Sequence, residues 1–145
     1  MKALIQRVRS ANVVVDQQLI GSIEQGLLVL LAVESHDKPE AIEKMAHKLL
    51  NYRLFSDDNN KMNLSIQDIQ GEILVVSQFT LAANTDKGLR PSFSRAADPA
   101  IASDYYERCV EQLKASSLKV ETGKFAADMQ VSLVNDGPVT FMLET

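Results

Sequence analysis

Apolar residues in the first quarter of the chain alternate with polar ones or run together, as they do in β-strands. Positions 2–33 predict three consecutive strands, with breaks expected around Asp16–Gln18 and at Gln25-Gly26. The last of the three contains Leu27–Val33, seven apolar residues in a row, which is typical of a strand covered on both faces. Two later strands are predicted, at Ile73–Gln78 and Leu118–Thr122.

Two other segments place apolar residues at the three- and four-residue spacing of an amphipathic helix. The first follows Asp37, which can form a capping box with Glu40, and Pro39 is tolerated in a first turn. The second opens with Asp98 as the expected cap and Pro99 at the first helical position. The predicted buried faces are Ile42, Met45, Ala46, Leu49 and Leu50 in the first helix, and Ile101, Ala102, Tyr105, Tyr106, Cys109, Val110 and Leu113 in the second.

The C-terminal stretch Val131–Leu143 alternates apolar and polar residues on both sides of Asp136-Gly137, a dipeptide that favours two-residue hairpin turns. Pro138 fits this pattern poorly, because proline has no N–H to donate where the returning strand should start its ladder. From the residues alone we therefore expect a hairpin whose proline lies on an edge strand.

Together these segments predict about seven strands and two helices, and no Pro/Gly-rich linker divides them. The expected fold is a single α+β domain over residues 1–145, with a curved, mostly antiparallel sheet and two helices packed on it. The longest apolar run is far shorter than the ~20 residues that span a bilayer. Gln6, Arg7 and Arg9 interrupt any secretory signal, so we expect a cytoplasmic protein with no membrane partner.

Composition and charge narrow the expected partners. The 145 residues are 46% hydrophobic and 23% charged, with a net charge of −4. Overall charge does not attract such a protein to nucleic acid, so we expect no DNA partner, and an RNA partner requires a local basic patch. Lys87, Arg90 and Arg95 offer one in a long polar loop predicted over Ala82–Ala97; an ordinary solvated loop is the alternative.

Most familiar catalytic groups are missing from the sequence. His36 and His47 are expected at the surface, and no residue spacing predicts a metal site or a cofactor. Cys109 is expected as a small core residue. What remains is "SQFT" at Ser77–Thr80, where hydroxyls, an amide and backbone N–H groups can polarise a carbonyl or hold a nucleophile. The alternative is that these residues form the ordinary polar end of a strand and have no catalytic role.

Three stretches resemble the signature motifs of the D-aminoacyl-tRNA deacylases: "SQFTL" at Ser77–Leu81, "KGLRPSF" at Lys87–Phe93 and "NDGPVT" at Asn135–Thr140. "QRV" at Gln6–Val8 and "ADMQVSL" at Ala127–Leu133 are also similar, so the resemblance covers nearly the whole chain. It implies a homodimer without a cofactor that hydrolyses the ester between a D-amino acid and the terminal adenosine at the 3′ end of tRNA. Glycyl-tRNA is expected as a second substrate, and L-aminoacyl-tRNA is expected to be spared.

The resemblance also implies how D- and L-amino acids are distinguished. Gly137-Pro138 is expected to be a cis peptide that enters the active site of the partner subunit and obstructs an L side chain. Glycine keeps the backbone approach open there. Arg7 is expected to support this gate, and the expected phosphate contacts are Lys87, Arg90 and Arg95.

The role of Thr80 has two interpretations. In the first interpretation, the Thr80 hydroxyl attacks the ester. In the second, the backbone N–H groups of Thr80 and Phe79 form an oxyanion hole, and the 2′-hydroxyl of the terminal ribose assists the attack. We favour the backbone interpretation, because no base for the hydroxyl is visible in the sequence. Ser77 and Gln78 are expected to position the adenosine and the ester.

Two rival functions stay open. One is a non-catalytic dimeric module that binds RNA or a ligand on the same scaffold, which the acidic charge and the missing catalytic groups favour. The other is a serine esterase using Ser77, although no G-x-S-x-G motif surrounds that residue.

Overall fold

A computed structural model of the chain describes all 145 residues. Three strands come first, as the pattern predicts. A tight turn joins the first two, with left-handed φ angles of 49° at Asp16 and 64° at Gln17. The three strands are β1 (Lys2–Val15), β2 (Gln18–Ile23) and β3 (Gly26–Ala32).

The rest of the chain adds two α-helices, five strands and a short 3₁₀ helix. None of the helices is both long enough and apolar enough to cross a membrane. In chain order the elements are α1 (Glu40–Asn51), β4 (Phe55–Ser56), β5 (Met62–Leu64), β6 (Glu72–Ser77), the 3₁₀ helix (Phe79–Ala82), α2 (Pro99–Lys114), β7 (Val120–Thr122) and β8 (Gln130–Glu144).

Six strands form one sheet in the order β2-β1-β3-β6-β7, with β8 paired to the other edge of β1. β1 is antiparallel to β2, β3 and β8, whereas β3–β6 and β6–β7 are parallel. β4 and β5 form a separate antiparallel pair. The predicted α+β class with a mostly antiparallel sheet is therefore confirmed.

The sheet is buried on both faces, which explains the uninterrupted apolar run in β3. A core of 24 residues includes residues of both α-helices, and a second core of eight residues contains no helical residue. Adjacent residues of β3 belong to different cores, Leu27 to the larger and Leu28 to the smaller, because side chains alternate along a strand. Cys109 lies fully buried in the larger core, as predicted.

Helix α2 begins as predicted. Pro99 is its first residue, and the Asp98 carboxylate accepts a hydrogen bond from the Ala100 N–H at 3.0 Å. One residue of its predicted buried face is wrong: Ile101 is half exposed, because it lies in the first turn, beyond the edge of the core. The fully buried residues of α2 are Tyr106, Cys109, Val110 and Leu113.

Helix α1 lacks its predicted cap. Pro39 occupies the N-cap position, and no side chain caps the helix. The Asp37 carboxylate instead accepts the Glu34 N–H at 2.7 Å and pairs with the amino group of Met1. The predicted apolar stripe is confirmed, since four of its five residues are buried and Leu50 packs against the core.

The predicted C-terminal hairpin is wrong. β8 is one strand, and both of its halves pair antiparallel with β1. Val8 pairs with Asn135 and Gln6 pairs with Thr140, so residues 136–139 lie opposite a single residue of β1. We call these residues the β8 bulge. A 14-residue β1 is long enough to pair with both halves, so the extra residues bulge out and the chain does not reverse.

Candidate active site

The end of β6 emerges beside the end of β3. Ser77, the last residue of β6, pairs with Leu31, and the Gln78 N–H donates to the Leu31 carbonyl at 2.8 Å. The 3₁₀ helix then begins at Phe79. Because the apolar residues before Ser77 are buried in the two cores, the strand holds its polar end at a fixed place on the sheet.

A cleft of about 550 Å³ opens at this end of the sheet. Small-molecule sites typically measure about 300–1,000 Å³, so the cleft has the size for one such ligand. Ser77, Gln78 and Phe79 line it, whereas Thr80 lies just outside. Most of the remaining wall is apolar and comes from the ends of β3 and β6, the start of α2 and the segment 125–131.

The polar groups at the end of β6 are held in place by contacts with one another. Gln78 donates from its Nε2 to the Thr80 Oγ1 at 2.6 Å, and Thr80 is exposed. No ionisable side chain hydrogen-bonds the Thr80 hydroxyl, so no base activates it. Phe79 and Thr80 are the first residues of the 3₁₀ helix, where backbone N–H groups have no partner within the helix.

One carboxylate, Asp128, lies in the cleft wall, and it hydrogen-bonds no residue at the polar end of the cleft. The other nearby titratable groups do not supply a base. Tyr106 lines the cleft, but burial raises the pKa of its phenol, and its hydroxyl donates to the Val75 carbonyl at 2.8 Å. Burial also raises the pKa of the Cys109 thiol to about 12. His36 and His47 are exposed and line no part of the cleft. At the polar end of the cleft, chemistry therefore depends on positioned, uncharged protein groups.

The β8 bulge has a defined internal structure. Its Gly137–Pro138 peptide bond is cis, as the resemblance implies, and both residues are exposed. The Asn135 side chain spans the bulge, since its Nδ2 donates to the Arg7 carbonyl at 3.0 Å and to the Val139 carbonyl at 3.1 Å. The sequence motif around the glycine is thus held by one amide side chain at its base.

Arg7 fixes the bulge from β1. Its Nε donates to the Asp136 carbonyl at 2.9 Å and pairs with the Asp136 carboxylate at 3.3 Å. A second guanidinium nitrogen donates to the Leu54 carbonyl at 2.7 Å. The Arg7 side chain is 14% exposed, whereas Arg9, which also pairs with Asp136 at 3.5 Å, is 76% exposed. Arg7 is therefore the structural anchor of the two.

The structure does not bring the β8 bulge and the cleft together within one chain. Gly137 and Pro138 line no part of the cleft. Val131 of the same strand lines the cleft, but the bulge begins five residues further along β8, about 17 Å away at ~3.3 Å per residue. If the bulge acts at a cleft, it reaches the cleft of another copy.

The predicted basic residues lie on the loop that follows the 3₁₀ helix. Lys87 and Arg90 are exposed and form no ion pair, while Arg95 lies 4.0 Å from Asp86. None of the three lines the cleft, although Ala96 and Ala97 at the end of the same loop do. The loop therefore connects the basic residues to the rim of the cleft.

Two features of the site were missed from the sequence. The segment Phe125–Met129 forms one wall of the cleft, although its pattern predicts only a connection. Phe79 and Phe93 also form a pair, with ring centroids 5.1 Å apart. The proximity of two phenylalanines fourteen residues apart depends on the path of the loop, which periodicity does not describe.

Solved structures share this fold. One described as a c-Myc DNA unwinding element binding protein is 42% identical, with a TM-score of 0.94, and the match covers 100% of this chain and 99% of the other. Another, described as a probable eukaryotic D-amino acid tRNA deacylase, is 16% identical with a TM-score of 0.88 over 98% and 97% of the two chains. At that identity the second similarity shows the fold alone.

Sequence relatives are similar over their whole length. A D-aminoacyl-tRNA deacylase of Pseudoalteromonas translucida is 61% identical over 143 residues, which is 99% of each chain. One of Pseudomonas fluorescens is 59% identical over 145 residues, the full length of both. A sequence model of the family described as D-Tyr-tRNA(Tyr) deacylase matches residues 4–144. This chain belongs to the D-Tyr-tRNA(Tyr) deacylase family.

Proposed function

We propose that this chain hydrolyses the ester bond of D-aminoacyl-tRNA, releases the D-amino acid and the tRNA, and spares L-aminoacyl-tRNA. The observation that carries the proposal is the apolar cleft with Ser77, Gln78 and Phe79 at one end, where no ionisable side chain hydrogen-bonds the polar groups; the one carboxylate of the wall, Asp128, belongs to the segment 125–131. An aminoacyl ester is an activated bond, so orientation and stabilisation of the oxyanion matter more than a strong base.

In this mechanism the carbonyl oxygen of the ester becomes negative as water attacks. The N–H groups of Phe79 and Thr80, at the start of the 3₁₀ helix, stabilise that charge. The 2′-hydroxyl of the terminal ribose assists the attack, the 3′ oxygen leaves with a proton, and the amino acid leaves as a carboxylate. Ser77 and Gln78 position the adenosine and the ester.

The choice between D- and L-amino acids is made at the α-carbon. Gly137 and Pro138 of the β8 bulge reach the cleft of a partner subunit, where a D side chain points away from them and an L side chain meets them. Their exposure in the single chain and their distance from its own cleft support an action between subunits. Glycine has no side chain to obstruct, so we expect slow hydrolysis of glycyl-tRNA.

A homodimer follows from this arrangement, and β8 offers a surface for it. β8 pairs with another strand, β1, on one side alone, which leaves the other backbone edge of a 15-residue strand unpaired. Four large apolar side chains of β8 are at least one-third exposed in the single chain. Such an apolar surface is typical of one that a partner covers. They are Leu133, Val134, Phe141 and Met142.

Binding of tRNA is local and electrostatic in this proposal. Lys87, Arg90 and Arg95 contact phosphates of the 3′ end from the loop beside the cleft, in a chain whose net charge is −4. Such contacts weaken as salt is added, because they release counterions from the RNA. The reaction takes place in the cytoplasm, where aminoacyl-tRNA is made and used.

The test is deacylation of D-tyrosyl-tRNA and L-tyrosyl-tRNA at equal enzyme, beside a small activated ester. We expect cleavage of the D-tyrosyl ester, sparing of the L-tyrosyl ester and little cleavage of the small ester. Cleavage of both tRNA esters would refute the chiral gate. Cleavage of the small ester at a similar rate would favour a general esterase, and cleavage of none by folded protein would favour a binding module.

A further inference from the structure

The rim of the cleft carries an exposed aromatic pair that the proposed chemistry does not use. Phe79 lines the cleft with part of its surface and is 58% exposed, and Phe93 lies outside the cleft and is 41% exposed. Their rings are tilted by 57°, with centroids 5.1 Å apart. Two large apolar rings left in solvent at the mouth of a site need a ligand or a partner to cover them.

The size of the cleft determines what has to lie outside it. A cleft of about 550 Å³ suits one drug-sized ligand, which corresponds to a nucleoside carrying an amino acid. The nucleotides that precede the terminal adenosine of a tRNA are single-stranded, and the cleft has no room for them. They leave it across its rim, where Phe79 and then Phe93 are located.

Charge next to the pair favours a nucleic acid as the occupant. The tip of the loop that carries Phe93 also carries Lys87 and Arg90, which are exposed and have no acidic partner. Two backbone hydrogen bonds between Asn84 and Ser92, of 2.7 and 3.0 Å, close this tip into a fixed shape. Aromatic rings beside free cations are the combination with which proteins bind single strands, by stacking bases and pairing phosphates.

We propose that Phe93, supported by Phe79, stacks on the nucleobase that precedes the terminal adenosine, while Lys87 and Arg90 bind the adjoining phosphates. This inference rests on the proposed function, because it identifies the cleft as the place of the terminal nucleoside. Stacking tolerates any base, so the site accepts every tRNA that ends in the same unpaired nucleotides.

The kinetic test compares D-tyrosyl-tRNA with D-tyrosyl-adenosine, which lacks the preceding nucleotides. Phe93→Ala should raise KM for the tRNA about tenfold with a small change in kcat, and should lower the ratio of the two kcat/KM values to the same degree. Phe93→Trp should restore the ratio. Leu89→Ala is the matched control, since Leu89 is a fully exposed apolar residue of the same loop.

Three results would overturn the proposal. An unchanged KM for the tRNA in Phe93→Ala would show that no base stacks there. An equal loss with both substrates would show that Phe93 merely shapes the ester site. Dissociation of the protein into monomers in Phe93→Ala, measured by light scattering, would show that the aromatic pair is covered by a second copy of the chain.

A binding measurement separates this proposal from the proposed function. If the wild-type protein cleaves neither ester, the deacylase function is wrong. The affinity for a fluorescent single-stranded RNA ending in CCA then tests whether the stacking site exists. About tenfold weaker binding by Phe93→Ala, with Phe93→Trp and Leu89→Ala close to wild type, would support it. Equal binding by wild type and Phe93→Ala would overturn it.

Discussion

The cleft and the β8 bulge are built by different forces. The cleft is shaped by packing, since most of its wall is apolar and its polar end at Ser77 and Gln78 is held at the end of a buried strand. The bulge is shaped by polar contacts: Arg7 and Asn135 together make four hydrogen bonds to backbone carbonyls around it. In the proposed function, the packed cleft supplies the chemistry and the hydrogen-bonded bulge supplies the selectivity.

The difference has an energetic consequence. Three of these four hydrogen bonds are partly buried, and removing their donor leaves a carbonyl without that partner, so small changes near the bulge displace it. A packed wall tolerates the loss of a surface hydroxyl much better. Substitutions in the two regions should therefore differ in size, and the following four are ordered from the largest expected effect to the smallest.

Gly137→Ala should cause the largest loss. An added Cβ would lie 2.1 Å from the Asn135 Oδ1 and 2.9 Å from the Val139 backbone nitrogen, so the amide that spans the bulge has to move. A gate shifted by about 1 Å no longer meets the L side chain squarely, so the preference for the D ester should fall by up to roughly 10²-fold. Deacylation of D- and L-tyrosyl-tRNA at equal enzyme measures this ratio. Ser132→Ala, at an exposed position of β8 outside the bulge, is the control and should lose much less.

Arg7→Ala should give the next largest effect. It removes three contacts to Asp136 and Leu54 from a mostly buried side chain, which costs about 1.5–3 kcal/mol for a charged hydrogen bond. The free energy of unfolding, measured with urea, and the ratio of D- to L-ester cleavage should both fall. Arg9→Ala, which removes an exposed pair with the same carboxylate, should change little; equal effects of the two would contradict the anchoring role of Arg7.

Arg90→Glu should weaken tRNA binding and leave the cleft intact. An exposed, unpaired cation that contacts one phosphate contributes about one unit to the slope of log affinity against log salt. We therefore expect several-fold weaker binding at low salt and a shallower slope. A titration of tRNA at several salt concentrations measures both. An unchanged slope would remove Arg90 from the set of phosphate contacts.

Thr80→Ala should have the smallest effect, at most about twofold in kcat/KM. The substitution keeps the backbone N–H that we propose for the oxyanion hole and removes a hydroxyl whose protein partner is the Gln78 amide. Thr80→Ser, which keeps the hydroxyl, is the matched control. A loss of ~10³-fold in Thr80→Ala with full activity in Thr80→Ser would identify the hydroxyl as the nucleophile.

The sequence predicts the features that depend on neighbouring residues, such as the start of a helix or a strand buried on both faces. Asp98 and Pro99 start α2 as their chemistry requires, and the apolar run Leu27–Val33 forms a strand buried on both faces. Asp37 has the same local signal as Asp98, yet a tertiary pair with the Met1 amino group outcompetes the capping role. Capping preferences cannot anticipate a partner 36 residues away.

The relation between the two halves of the site is not local, and the sequence pattern misses it for that reason. Asp136-Gly137 has the composition of a hairpin turn, but the length of β1 decides that the chain continues. Short motifs predict functions for Ser77, Gln78, Gly137 and Pro138 without indicating how far apart they lie. The path of β8, which lines the cleft at Val131 and not at the bulge, supplies that separation.

The most direct measurement mixes two defective subunits. Ser77→Phe blocks the polar end of the cleft, Gly137→Ala displaces the bulge, and two affinity tags isolate the heterodimer. If each bulge serves the partner's cleft, the one open cleft of the heterodimer keeps an intact gate, so the heterodimer should cleave D-tyrosyl-tRNA at about half of the wild-type rate and spare L-tyrosyl-tRNA. If it cleaves both esters, as the Gly137→Ala homodimer should, each bulge serves its own chain, and the proposed gate between subunits is wrong.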